Sequence, residues 1–406
     1  MNIDTLKEYT PKVIESTRQN SLMQAIALGI PSMKNEEWKY TYYNKILQQG
    51  FAPTYTPATV NIKKDFIDKH SVSGNNIVFL NGIYQPELSS LKPSAGVVFT
   101  NTANTSEQIS NDFLIELNNA FATDGLYLEI SDNVILTDLI EVLYIQSNTS
   151  GIIQHRNKIK IGKHAQVSLA EYYISYDNLP VYVNNVTHIE IDERAIFDSY
   201  KIQDGGEVFY ITEQTFVQQA KNSTATVNTF SLSGAITRNV LQFDSQDERT
   251  LSNMNGLYLL KKNEHVDNRT LVNHNAPNCE SNELYKGIID GNAVGVFNGK
   301  IRVAQEAQKT NAFQSNRNIL LSEDAAIYTK PQLEIFADDV KCSHGATIAQ
   351  IEESELFYLQ ARGIGKDVAR GLLVYAFAGE LLEKIKHEAL KLSLKKRIAD
   401  LLNIEI

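Results

Sequence analysis

Two side chains able to bind a soft metal stand two residues apart in the segment PQLEIFADDVKCSHGAT at 331–347: the thiol of Cys342 and the imidazole of His344. Leu333, Ile335 and Ala337 alternate there with Glu334, Phe336 and Asp338, so a period of two predicts an extended strand with Asp338, Val340, Cys342 and His344 on one face. Two strand rises separate the Cα atoms of such a pair by roughly 6.6 Å, within reach of one thiophilic metal. Imidazole coordinates near neutral pH without first losing a proton, whereas a thiol with a pKa of about 8.5 stays mostly protonated until a metal favours its thiolate. The pair supplies at most two ligands, so the rest of a coordination shell must come from a partner or from the sulfide of a cluster. Asp338 and Asp339 raise the thiol pKa if they lie close, and their oxygens suit iron, but solvation of the strand end is the simpler role. Spacing alone favours a structural part for the pair, because free cysteine is among the most buried residue types. His274 and Cys279 make a second near pair in TLVNHNAPNCESNELYKG, read first as turn structure and second as ligands.

The elements that must position these groups are mostly strands. From about residue 126 polar turns lead into an alanine and an alternating strand: GKHAQVSLAEYY at 162, DERAIFDSYKI at 192 and NSTATVNTFSL at 222 place Ala165, Ala195 and Ala225 at successive intervals of 30. The register weakens through 245–290 and returns with Ala293 and Ala325, 32 apart. A small residue at each turn followed by a strand of alternating apolar residues is what stacked coils of a β-solenoid require. A sandwich or barrel is the rival, but hairpin signals are sparse: Asn81-Gly82, Asn255-Gly256 and Asn298-Gly299. A stack has open ends, which predicts helical pieces at both and a partner at one. The expected organisation is a helical region over 1–75, a mixed lead-in over 76–135, a β-solenoid core over 136–345 and a helical subdomain over 346–406. Helices are expected over 3–28 and 106–122, and Trp38 reads as an aromatic staple at the end of the first helical region.

Composition narrows the function. At 406 residues, 43% hydrophobic and 21% charged, the chain is that of a soluble globular protein, and its net charge of −10 argues against a general binder of nucleic acid or acidic membrane. Two cysteines make no disulfide framework and fit a reducing compartment. The start MNIDTLKEYTPKVIE is not a secretory signal and no apolar run is long enough to span a membrane, so a cytoplasmic location is expected. Gly363-Ile364-Gly365-Lys366 lacks the first glycine and the Ser or Thr of a phosphate-binding loop, and dinucleotide, nucleophile-elbow and zinc-protease motifs are missing too. A carbohydrate-active solenoid enzyme needs paired carboxylates in one groove; Asp192, Asp198 and Asp290 show no such pairing in sequence.

The run EIFADDVKCSHGATIAQIEESELFYLQARG at 334–363 resembles the carboxy-terminal signature of the SufB/SufD family of iron–sulfur cluster assembly proteins. GIPSMKNEEWKYT at 29, HVDNRTLVNHNAPNCESNELYKGIIDGNAVGVFNGKI at 265 and AQKTNAFQSNRNILLSEDAAIYTKPQLEI at 307 are similar to further family segments. The resemblance implies a right-handed parallel β-helix between helical end regions, and assembly with SufB and two copies of the ATPase SufC. It implies SufB pairing through the β-helix end and SufC docking on the carboxy-terminal helices, for which Leu356, Phe357, Leu372, Leu373, Tyr375 and Phe377 are the candidate residues. His344 is then the leading ligand for iron or a nascent cluster, with Cys342 a nearby thiol. Phe313-Gln314-Ser315-Asn316 has no cysteine where SufB relatives carry one, and Ser343-His344-Gly345-Ala346 stands where they have a Glu-His-Glu-Ala type sequence. The SufD branch therefore fits better than a self-sufficient SufB-like scaffold. On this resemblance the chain is a non-catalytic subunit, ATP hydrolysis is SufC's, and the cluster or iron is transient with nothing tightly held by the isolated chain. Isolated chains are expected to form homodimers through the exposed β-helix end. No motif of the chain assigns a reduced flavin.

Overall fold

A computed structural model describes residues 6–7, 16–53, 61–92, 94–102, 110–122, 124–147, 151–177 and 179–405. The chain opens with α1 (Ser16–Leu28), α2 (Asn44–Leu47), β1 (Ala52–Pro53), α3 (Lys64–His70), β2 (Asn76–Leu80), β3 (Ile83–Tyr84), β4 (Val97–Asn101) and α4 (Phe113–Phe121). The expected helix over 3–28 is seen as α1, while 3–5 and 8–15 lie outside the described residues, as do 106–109 of the expected helix ending in α4.

Coils follow, two strands to each. The first four are β5 (Leu126–Ile130) with β6 (Ile140–Gln146), β7 (Gly151–Ile161) with β8 (Gln166–Ser175), β9 (Val181–Ile191) with β10 (Ile196–Asp204), and β11 (Phe209–Gln219) with β12 (Thr224–Ser233). The next are β13 (Ile236–Ser245) with β14 (Leu251–Leu260), β15 (His265–His274) with β16 (Glu280–Ile289), β17 (Val294–Val303) with β18 (Asn311–Leu320), and β19 (Ala326–Ile335) with β20 (Lys341–Ala349). From β5 onward the odd-numbered strands stack into one ten-stranded sheet, which also holds β1 and β4, and the even-numbered ones into another, which also holds β2 and β3, giving a parallel β-solenoid of about 8 turns. Among the described residues antiparallel pairing occurs only in the lead-in, between β2 and β3 and between β4 and β5.

Six of the eight coils turn toward the even sheet in the same way. His164, Arg194, Asn222, Arg249, Asn278 and Lys309 have φ between 56° and 62°, and each precedes a small buried residue: Ala165, Ala195, Ser223, Thr250, Cys279 and Thr310. The left-handed residue reverses the chain, and the small one tucks under the neighbouring coil. Register corrects the sequence reading at two points, the first being that Ala293 and Ala325 precede β17 and β19 and so lie at the opposite turn of the coil from Ala165 and Ala195, which precede β8 and β10. At the second, Ile196 pairs with Thr224, so the turn residue is Ser223, and Ala225 lies inside β12 opposite Phe197.

The interior is filled by inward residues of both sheets, among them Val167, Phe197, Val227, Met254, Phe297 and Ile301. The outer face of the odd sheet is covered by α4 and the segment around Trp38, Tyr43 and Phe51, which pack on Ile152, Tyr182 and Ile236. Asp112 caps α4 by accepting from the Leu114 and Ile115 amides at 2.8 and 3.0 Å. The outer face of the even sheet is covered by α6 (Lys366–Leu382) and α7 (Glu388–Leu402), which follow α5 (Glu353–Gln360). The terminal helices thus clad the sides of the stack instead of capping its ends, because each sheet's outer face is itself apolar and must be buried.

Candidate functional site

β19 and β20 each have one neighbour and are the last strands of their sheets. Their outer edges carry no partner strand among the described residues, leaving backbone donors and acceptors ready for another chain. Lys341–Ala349 pairs with β18 so that Cys342 stands opposite Ala312 and His344 opposite Gln314. Ala312 and Gln314 are both buried inside the solenoid, so Cys342 and His344 share the inward face, at a level where no further coil covers them.

The two side chains differ in setting. Cys342 is half-buried and packs against the interior apolar cluster. Burial pushes its thiol pKa up, partly offset by a backbone hydrogen bond with Ala312. His344 is exposed. The expected placement of Asp338 on the same face does not hold, because β19 ends at Ile335 and the chain bends at Asp338 and Asp339 before β20 begins. Asp339 forms an ion pair with Lys309, and its amide donates to Gln308 Oε1 at 2.9 Å. Among the described residues no three His, Cys, Asp or Glu side chains converge as a metal site. Two donors at an open edge are half a site.

Exposed apolar residues gather on the same coils: Phe313, Tyr328, Ile335, Phe336 and Ile348, of which Phe336 is 59% and Ile348 51% exposed. The candidate docking residues divide. Tyr375 and Phe377 pack against the cluster under α6, and Phe377 also faces the Lys286 ammonium at 4.5 Å. Leu356, Leu372 and Leu373 are half-buried, and Phe357 is 71% exposed beside Tyr358 and Val368, also exposed.

His274 and Cys279 face different tasks. His274 is buried with Nε2 2.9 Å from Ser281 Oγ, and burial lowers its pKa to about 4. Cys279 is the buried small residue of its turn, its thiol directed at the Asp247 carbonyl at 3.4 Å. Asp198 lies on β10 and accepts two hydrogen bonds from Lys386 Nζ at 2.8 and 2.7 Å, while Asp192 and Asp290 cap turns through the Glu193 and Gly291 amides. Their carboxylates are thus spent on structure, and none pairs with another across a groove.

Sequence reading missed the polar groups inside the stack. Lys201 is buried between Glu171 and Glu213, and Glu283 accepts from Thr270 Oγ1 at 2.6 Å and Gln314 Nε2 at 2.7 Å. Register places Glu283 opposite Gln314 and Gln314 opposite His344. The column follows the coil length that spaces the turn residues, but that length varies from coil to coil, so the sequence alone does not give its register. Trp38 proves to be more than a staple. Its ring lies 3.8 Å from the Arg238 guanidinium carbon, Thr41 Oγ1 donates to Asp267 at 2.6 Å, and Tyr40 stacks on Tyr328 at 4.3 Å, tying the amino-terminal segment to the odd sheet.

Residues 144–377 match the family model described as SUF system FeS cluster assembly, SufBD core domain, and residues 1–142 match that of the SufBD protein N-terminal region. An iron-sulfur cluster assembly SufBD family protein of Synechocystis sp. is 33% identical, over 95% of this chain and 91% of its own. The iron-sulfur cluster assembly protein SufD of Escherichia coli is 28% identical, over 94% of this chain and 91% of its own. A SufBD family protein of Mycobacterium leprae is 38% identical over a shorter stretch, 32% of this chain and 35% of its own.

Proposed function

The chain belongs to the SufBD family of SUF-system iron–sulfur cluster assembly proteins, and on that premise we propose that it is a SufD-type scaffold subunit with no catalysis of its own. It pairs with SufB through the open end of the solenoid. The ATPase SufC docks on the carboxy-terminal helices and supplies ATP hydrolysis. Iron or a nascent cluster is cargo, held transiently where this chain's last coil meets SufB.

One observation carries the reading: the donors Cys342 and His344 lie on a terminal strand whose outer edge is unpaired among the described residues, beside exposed Phe336 and Ile348. An incomplete ligand set and an incomplete sheet coincide, so one partner strand completes both. His344 is the stronger ligand, being exposed, whereas the Cys342 thiolate is disfavoured by burial until a metal stabilises it. For SufC, the supporting surface is the exposed Phe357, Tyr358 and Val368, with Leu356, Leu372 and Leu373 beside them. Tyr375 and Phe377 act from beneath, fixing α6 to the sheet. Both cysteines are free thiols, which suits the cytoplasm as the place of work.

Reconstitution with SufB and SufC tests the ligand assignment. His344→Ala is expected to lower cluster yield about ten-fold or more, and Cys342→Ala to lower it less, with the complex intact by size. Unchanged yield for His344→Ala in an intact complex overturns the assignment.

A further inference from the structure

We infer that Gln314 is a positioning residue for His344: its amide oxygen accepts a ring N–H of His344, fixing one imidazole tautomer and leaving the lone pair of the other ring nitrogen free. The use made of that nitrogen rests on the reading of His344 as a ligand. The hydrogen bond itself rests on register and burial.

Glu283, Gln314 and His344 form one column through the last three strands of the even sheet, each the Cα partner of the next. Gln314 is 3% exposed, and its Nε2 donates to Glu283 Oε2 at 2.7 Å. The other Glu283 oxygen takes the Thr270 hydroxyl at 2.6 Å, from the opposite sheet. Above its pKa of about 7 the Glu283 carboxylate only accepts, so the amide there turns its NH2 toward Glu283 and its oxygen away. Glycine on the facing strand makes room for this: a Cβ at Gly299 would stand 2.1 Å from Gln314 Nε2.

The amide oxygen is left over. Gln314 Oε1 is buried and accepts no hydrogen bond among the described residues, a costly state for a carbonyl. Its in-register neighbour toward the open end is His344, whose ring always carries at least one N–H. A ring N–H held by a fixed acceptor sets which nitrogen keeps its lone pair and how the ring points, which is how outer groups tune imidazole ligands. His344 itself is exposed, at the open end of the column.

The test uses the full chain with ring-15N histidine at pH 8.5, above the Glu283 pKa of about 7; His344→Gln identifies the His344 signals among the eight histidines. Gln314→Leu is expected to change the His344 tautomer ratio about five-fold, the worth of one hydrogen bond, with the other histidine signals unmoved. The exchanged pair Glu283→Gln with Gln314→Glu restores the ratio, because Thr270, residue 283 and residue 314 then regain donor-to-acceptor order and a carboxylate oxygen faces His344. A ratio in Gln314→Leu equal to that of the wild type, with the fold intact by the remaining signals, overturns the proposal. Cluster yield in the assembled complex reads the ligand role separately: a changed ratio with unchanged yield keeps the hydrogen bond and removes the ligand reading.

Discussion

Cys279 and Cys342 show how little a residue type says before its place is known. One is the small buried member of a turn column, the other a half-buried thiol at the last coil, where burial holds its pKa up. Asp338 and Asp339 sit exposed in a bend before the strand, where solvation is their simpler role, and Asp339 is paired with Lys309. Glu283 titrates inside the stack: burial raises its carboxyl to about 7 against the opposing hydrogen bonds of Thr270 and Gln314. A folded pKa above the ordinary value near 4.5 means the folded chain holds this proton more tightly than the unfolded one. The stabilisation is therefore fully present below pH about 4.5 and is lost as pH rises through about 7, a change of about 3 kcal/mol. Glu283→Gln is expected to remove that part of the fall in stability between pH 5 and pH 8, as measured by urea unfolding at the two values. An undiminished fall in the variant would show that other groups carry it.

Elements at the two ends of the chain do matching work on opposite sheets. The carboxy-terminal helices are pinned to the even sheet by Lys386 on Asp198 and by Arg397 on Asp204, the latter at 2.5 and 2.8 Å. The amino-terminal segment is pinned to the odd sheet by Trp38 on Arg238 and by Thr41 on Asp267, which Arg238 and Arg269 also hold. Asp267 is fully buried, so its charge depends on these partners. Arg238→Met is expected to cost about 3 kcal/mol and to loosen the docked segment first. Trp38 is the only tryptophan, so its emission should shift to the red at lower denaturant than the loss of β-sheet circular dichroism. Coincident transitions would mean that the segment and the stack remain one cooperative unit.

At the scale of the molecule the stack is finished on its sides and unfinished at one end. β19 and β20 expose their edges and a cluster that includes Phe336 and Ile348, so an isolated chain is expected to pair with a second copy through this face. Replacing Phe336 and Ile348 together by aspartate should return the dimer to monomer in sedimentation with the circular dichroism unchanged; a dimer that persists would place the contact elsewhere. Much of this architecture is local and therefore legible in sequence. Alternating apolar residues make strands, and small residues at coil spacing mark Ala165 with Ala195 as one turn of the coil and Ala293 with Ala325 as the other. The two-residue spacing of Cys342 and His344 likewise sets them on one face by the strand period alone. Register was not legible, because coil length varies: Ser223 takes the place given to Ala225, and the strand break after Ile335 removes Asp338 from the pair. Only the folded stack decides which polar residues meet inside it, as Glu283, Gln314 and His344 do in their column. It also decides that the terminal helices lie along the sheets and leave the last coil bare, since that depends on which buried faces compete for them across the whole chain.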